Sequence, residues 1–232
     1  MIHDLLDELR SDLKIPVFER SIENILVAVS KSSDFWEIVR YSSEPLIVVS
    51  KTVQKLVQYG YLKIVSDEII LTEKGRDYLK SMNIGAGMYT CKTCNGRTVT
   101  FDMLDIVKDF LKIVENRPSA IKEYDQGYVS PETTLARIAI MDQKGDLRGK
   151  NLLILGDDDL ISIAAMLTRW PKRIVVFEID ERLVNFIKKI GEEIGYDVET
   201  YQHDLRYPLP DNVKKKFDTF FTDPPETLEG LR

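Results

Sequence analysis

Carboxylates recur in the C-terminal third of this chain at positions where chemistry would use them. Gly156 is followed by three consecutive aspartates, Asp157, Asp158 and Asp159. Glu178 and Asp180 close the next apolar run, Asp204 follows a third, and Asp223 ends a fourth with Glu226 three residues on. Each acid stands just past a short apolar stretch, and open α/β sheets bind their ligands there, beyond the carboxyl ends of the strands. One such acid is well explained as a helix N-cap, worth ~1 kcal/mol. Acids at all the equivalent strand ends point instead to a ligand. The first loop also restricts what that ligand is. A dinucleotide fold presents G-x-G-x-x-G so that backbone amides can approach a pyrophosphate, whereas three carboxylates repel phosphate at short range and attract an amine or a sulfonium. NAD, FAD and ATP are disfavoured, and an adenosyl sulfonium is favoured.

The spacing assigns parts of such a ligand. Glu178 and Asp180, 22 and 24 residues after Gly156, lie where the ribose hydroxyls of an adenosine are held, and either could accept both hydroxyl protons. Asp204 lies where the exocyclic amine of an adenine would sit.

These residues need a scaffold, and the flanking patterns supply one. Residues 151–155 form a continuous apolar run, as in a strand buried on both faces of a parallel sheet. A helical pattern follows, then a strand over 173–180, a second helix, and strands over 196–201 and 217–222. That alternation predicts a doubly wound α/β sheet of the Rossmann-like, methyltransferase type. Upstream, 102–115 reads as a helix, and Ser130 as the N-cap of another, with Pro131 at its first position. Between them, Tyr124, Asp125, Gln126 and Tyr128 have the composition of a binding loop or of a plain surface loop. Residues 83–101 form a glycine-rich segment around Cys91 and Cys94, ending in a short apolar strand. Residues 1–82 read as three helices, a hairpin turning at 66–68, and a last helix, the order of a winged helix. The organisation is thus a winged-helix-like domain (1–82), a linking segment (83–148) and the α/β domain (149–232).

Composition narrows the class further. The chain has 232 residues, 44% hydrophobic and 30% charged, with a net charge of −6, which excludes a disordered or collagenous chain. No apolar run approaches the ~18–20 residues that span a bilayer, and the N-terminus lacks the features of a signal peptide, so a cytoplasmic protein is expected. Residues 1–82 carry 11 basic against 13 acidic side chains, and the candidate recognition helix offers only Lys51 and Lys55. Nucleic acid is therefore an unfavoured partner, and the N-terminal domain is read as serving packing or dimerisation. The lone C-x-x-C lacks the further ligands of a structural zinc site, leaving a knuckle, a labile disulfide or a shared metal open. No metal is assigned.

Four motifs together carry a resemblance. G-D-D-D (Gly156–Asp159), F-E-I-D-E-R (Phe177–Arg182), H-D-L-R (His203–Arg206) and T-D-P-P-E-T-L-E (Thr222–Glu229) resemble the branched-chain polyamine synthase family, within the S-adenosylmethionine-dependent methyltransferase-like superfamily. The N-terminal pattern and the C-x-x-C-x-G segment are similar too, so the likeness spans essentially the whole chain. G-D-D-D is its most specific element. D-P-P alone is weaker, since amino-methylating nucleic-acid methyltransferases follow it with an aromatic; Glu226 lacks the π-face that stacks on a base. The resemblance implies an aminopropyltransferase using decarboxylated S-adenosylmethionine as co-substrate, with no permanently bound cofactor. The acceptor would be a secondary amine of spermidine, two rounds giving a quaternary branched polyamine. A homodimer is the usual state of aminopropyltransferases. Gly156, Asp157, Glu178, Asp180 and Asp204 would hold the donor, and Tyr128, Asp223 and Glu226 the acceptor. Asp158 or Asp159, with Asp223, would serve catalysis, because an ammonium must lose its proton before it attacks. The competing readings are a methyltransferase acting on an amino group of nucleic acid or protein, and a polyamine-sensing winged-helix regulator. The α/β pattern is expected to continue past Arg232, so the sequence reads as truncated after its fourth strand.

Overall fold

A computed structural model of the chain describes residues 2–82, 99–101 and 103–224. They fall into two compact units divided between Asn83 and Ile84. Cys91, Cys94, the glycine-rich segment around them and Glu226 lie outside the described residues.

In the N-terminal unit, apolar residues three and four apart produce four amphipathic helices, α1 (Ile2–Leu13), α2 (Glu19–Lys31), α3 (Phe35–Ser42) and α4 (Leu46–Gln58). Leu5, Leu9, Ile22, Ile25, Leu26, Ile38 and Leu56 form the centre of their shared core. The hairpin of β1 (Leu62–Val65) and β2 (Glu68–Leu71) turns through Ser66 and Asp67, both at positive φ, the two-residue turn whose twist suits paired strands. Thr72 caps α5 (Glu73–Ser81) by accepting the Gly75 N–H at 3.1 Å. One helix is added to the expected order. α3 buries only Ile38 and Ser42, too few positions to show a period, and its one local signal is Asp34, which accepts the Glu37 N–H at 2.9 Å. On α4, Lys55 pairs with Glu8 at 2.6 Å and Asp12 at 3.5 Å, so that cation serves the unit's own acids.

The second unit begins with α6 (Leu104–Val114) and α7 (Pro131–Gln143). It continues as β3 (Asn151–Leu155), α8 (Ile161–Thr168), β4 (Arg173–Glu178), α9 (Glu181–Ile194), β5 (Val198–Gln202) and β6 (Thr219–Thr222). The four strands are parallel, in the order β5-β4-β3-β6. The chain therefore builds outward from β3 to β5, then returns to the far side of β3. The strand order reverses between β3 and β6, and the crevice at their carboxyl ends is where a sheet of this kind binds ligands.

Side chains alternate across the sheet. Leu152, Ile154, Ile174 and Val176 face a core completed by Phe110 of α6, Leu135 and Ile138 of α7, and α8 and α9. Helices α6 and α7, from the segment expected to link two domains, thus pack in the same core as the sheet. Leu153, Leu155, Val175 and Phe177 face the other way, against Leu209, Val213 and Phe217. Among the described residues, then, the doubly wound expectation is met on one face only. Right-handed crossovers advancing in one direction put α8 and α9 on the same side, and the return to β6 carries only a short 3₁₀ turn, Asp211–Val213. The short strand expected before α6 is reduced to an isolated bridge at Val99. β6 forms one edge of the described sheet, with Phe220 beside Leu153 and 65% exposed.

Candidate active site

The site is assembled from the loop after β3, the ends of β4 and β6, and the segment from Arg117 to Arg137. β3 ends at Gly156, whose φ of +74° lets the chain swing over β4 while its N–H donates to the Phe177 carbonyl at 2.9 Å. Glu178, at the end of β4 and buried, joins the two loops. Its carboxylate accepts the Asp157 N–H at 2.7 Å and the Asp180 N–H at 2.9 Å.

The three aspartates of the loop have different surroundings. Asp157 is buried and folds back on α8, accepting the Ser162 N–H and the Ser162 hydroxyl; burial pushes its carboxyl well up, against those hydrogen bonds. Asp158 is half-buried and accepts the Gly127 N–H at 3.2 Å. Burial, and after it the charge of Asp159, push its carboxyl up to about 6. Asp159 is buried, accepting the Val129 N–H at 2.8 Å and pairing with Arg137 Nη1 at 2.6 Å. Arg137 also extends Nη2 to Asp223 at 2.6 Å, so one guanidinium bridges the β3 and β6 sides of the crevice.

Asp180 caps α9 and is clasped by Arg182, through the N–H at 2.9 Å and Nη2 at 2.6 Å, and by Gln126 at 3.1 Å. Burial pushes that carboxyl up, but the hydrogen bonds from Arg182 and Gln126 outweigh it and hold it below its usual range. Asp204 is paired with Arg206, whose side chain and backbone N–H draw the carboxyl down to about 2. Tyr128 donates its hydroxyl to the Pro118 carbonyl at 2.6 Å and lies under the Arg117 guanidinium, 3.5 Å from the ring centroid. Arg117 in turn donates to the Asp158 carbonyl at 3.3 Å. Burial pushes the Tyr128 hydroxyl up.

The structure thus brings Asp158, Asp159 and Asp223 to one crevice, and ties Asp157, Glu178 and Asp180 to one another through backbone amides. Asp204 bonds within its own loop, and Glu226 is outside the described residues. Sequence reasoning missed Arg137, Arg117 and Ser162, whereas Gln126 belongs to the stretch read as a binding loop or a plain surface loop. Arg137 follows Thr134 by three residues on one face of α7, and the Thr134 hydroxyl donates to the Asp159 carbonyl at 3.0 Å, but the sequence carries no signal for either contact. Among the described residues there is no group of three His, Cys, Asp or Glu side chains placed to hold a metal. No described helix is long and apolar enough to cross a membrane.

Comparison with known proteins places this geometry in context. A family model described as the branched-chain polyamine synthase A C-terminal domain matches residues 105–232. The chain is 46% identical over 234 residues to an N(4)-bis(aminopropyl)spermidine synthase of Thermococcus kodakarensis, covering 100% of this chain and 67% of that protein. It is 47% identical over 231 residues to the protein of the same name from Methanocaldococcus jannaschii, covering 98% and 66% respectively. A crystal structure of the Thermus thermophilus branched-chain polyamine synthase, in complex with N4-aminopropylspermidine and 5'-methylthioadenosine, matches at 37% identity and a TM-score of 0.57, covering 99% of this chain and 65% of that one. The chain spans about two thirds of the length of these relatives.

Proposed function

This chain belongs to the branched-chain polyamine synthase family, and from that premise we propose that it moves aminopropyl groups from decarboxylated S-adenosylmethionine to a secondary amine of spermidine. The observation that carries the reading is the aspartate loop after β3. It offers carboxylates where a nucleotide-phosphate loop offers glycines, and one of them, Asp158, has a carboxyl pushed up to about 6. A decarboxylated donor has an amine and a sulfonium but no carboxylate, so acids suit it and its polycationic acceptor alike.

The reaction is a displacement at carbon. The amine lone pair attacks the propyl carbon beside the sulfonium; the C–N bond forms, the C–S bond breaks, and its electron pair neutralises the sulfur to leave 5'-methylthioadenosine. The proton carried by the acceptor nitrogen passes to a carboxylate, Asp158 or Asp159. Of the two, Asp158 is the less occupied among the described contacts, with one amide donor against the amide and guanidinium on Asp159. A second round on the resulting tertiary amine gives the quaternary, branched product, and again the amine must first be deprotonated. The sulfonium is already a good leaving group, so most acceleration is expected from alignment of nitrogen, carbon and sulfur. In this reading Gly156, Asp157, Glu178, Asp180 and Asp204 serve the donor. Asp157 and Glu178 do so by shaping the loops, since their oxygens are engaged by Ser162 and by backbone amides. Tyr128, Asp223 and Glu226 serve the acceptor.

The same reading makes the N-terminal unit a winged-helix-like domain used for packing or dimerisation, in a cytoplasmic homodimer. A methyltransferase or a polyamine-sensing regulator is not favoured. The test is product analysis by mass spectrometry. Spermidine plus the decarboxylated donor is expected to gain one and then two aminopropyl groups, with S-adenosylmethionine inert. Methyl transfer from S-adenosylmethionine, or no product from the decarboxylated donor, would refute the proposal.

A further inference from the structure

Arg137 is a cation at the centre of a site read as accepting cations. It lies on the second turn of α7, a helix fixed at its start by Ser130, whose side chain accepts the Thr133 N–H, and by Pro131 at the first position. From there Nη1 reaches Asp159 and Nη2 reaches Asp223, each at 2.6 Å. The two acids are far apart in sequence and follow the two strands, β3 and β6, that flank the reversal of strand order. Thr134 fixes the Asp159 main chain from the same helix face, its hydroxyl donating to the carbonyl at 3.0 Å. Asp159 is only 4% exposed, and an acidic side chain so buried is costly unless it is paired and hydrogen-bonded.

We propose that Arg137 is a positioning residue of the transfer step, clamping Asp159 and Asp223 across the crevice so that the acceptor amine meets two carboxylates at a fixed separation. This rests on the aminopropyltransferase reading above. Each carboxylate accepts several hydrogen bonds, so the clamp leaves lone pairs on both for substrate N–H groups. Two parallel arms of one rigid fork hold two acids at once; an ammonium, a point charge on a flexible stem, does not reproduce that geometry. The clamp also tempers the pocket, whose acids otherwise attract a polycation in any register. With Asp159 and Asp223 both bound to Arg137, general attraction falls to the remaining acids while these two orient the reacting nitrogen.

The test compares Arg137→Lys, Arg137→Gln and Arg137→Gly in the full-length protein, with kcat and KM measured for donor and acceptor. Misplacement of catalytic groups by about 1 Å costs up to ~10²-fold, so Arg137→Gln is expected to lose about 10- to 100-fold in kcat with donor KM little changed. Arg137→Lys should recover only part of that loss, and millimolar guanidinium should restore turnover to Arg137→Gly. Binding of 5'-methylthioadenosine, read by calorimetry, reports whether each variant retains its fold. A kcat within about twofold of wild type in Arg137→Gln would overturn the proposal, since a clamp should matter at least tenfold, ~1.4 kcal/mol. So would a loss in Arg137→Gly that guanidinium leaves unchanged while 5'-methylthioadenosine still binds. Absence of aminopropyl transfer by the wild-type protein would refute the underlying reading instead, which separates the two failures.

Discussion

Replacing Asp158 by asparagine should make the protein more stable and less active, and the two effects should follow the same titration. The carboxyl lies between the acidic loop and the Gly127 N–H, half-buried, and its pKa is raised from 3.8 to about 6. A raised carboxyl pKa means that the folded state holds the proton more tightly than the unfolded chain does. Below about pH 4 both states are protonated and the site costs nothing; between about 4 and 6 the unfolded chain releases its proton first and stability falls; above 6 the full cost is present. Two pKa units correspond to about 3 kcal/mol. Because solvent reaches part of the group, a gain of about 1–3 kcal/mol is expected for Asp158→Asn at pH 8, and almost none near pH 4. The asparagine carbonyl can still accept the Gly127 N–H. The chain has two tryptophans, Trp36 in the N-terminal unit and Trp170 in the α/β unit, so urea unfolding followed by fluorescence in a Trp36→Phe background reports on the relevant unit. Wild-type kcat/KM should fall on acidification through about pH 6, and the variant should lose most of its turnover. A gain that is the same at pH 4 and pH 8, or absent at pH 8, would refute the electrostatic argument. Retained turnover would remove Asp158 as the proton acceptor and leave Asp159.

Other consequences can be checked in the same protein. Asp180→Ala should raise the donor KM more than it lowers kcat, because it empties the clasp formed with Arg182 and Gln126; steady-state kinetics with the donor varied decides this. Ser162→Ala removes a hydroxyl donor from the buried Asp157 carboxyl and should lower stability by about 1–3 kcal/mol; an unchanged urea midpoint would show that a water replaces it. Cys91→Ser with Cys94→Ser should leave turnover intact, and a loss accompanied by release of bound zinc would identify a structural metal.

Much of this architecture is legible in the residues, because it depends on local pattern. The apolar runs that become β3 and β4 and the Ser130–Pro131 helix start are signals read over a few positions, and the structure has them where expected. α3 escaped because it buries too little to show a period. The site divides along a similar line. That acids stand at the strand ends is a sequence fact; which of them turn inward is not. Asp157 and Glu178 are engaged by groups of their own scaffold, Ser162 and two backbone amides, while Asp159 and Asp223 meet through an arginine 22 and 86 residues away. Partners chosen across such distances follow from the packing of α7 on the sheet, which no local spacing encodes.

The edge at β6 has a consequence for the protein in solution. Its outer side is unpaired within the described sheet, and Phe220 stands largely exposed on it. An edge of that kind takes up a further strand, from residues beyond the described ones or from a second chain. The net charge of −6 opposes such pairing between copies through this edge, and with a sequence pI of about 5.2 that repulsion weakens in mildly acidic buffer. Phe220→Lys would place a charge on that strand, the device by which natural edge strands resist pairing with another copy.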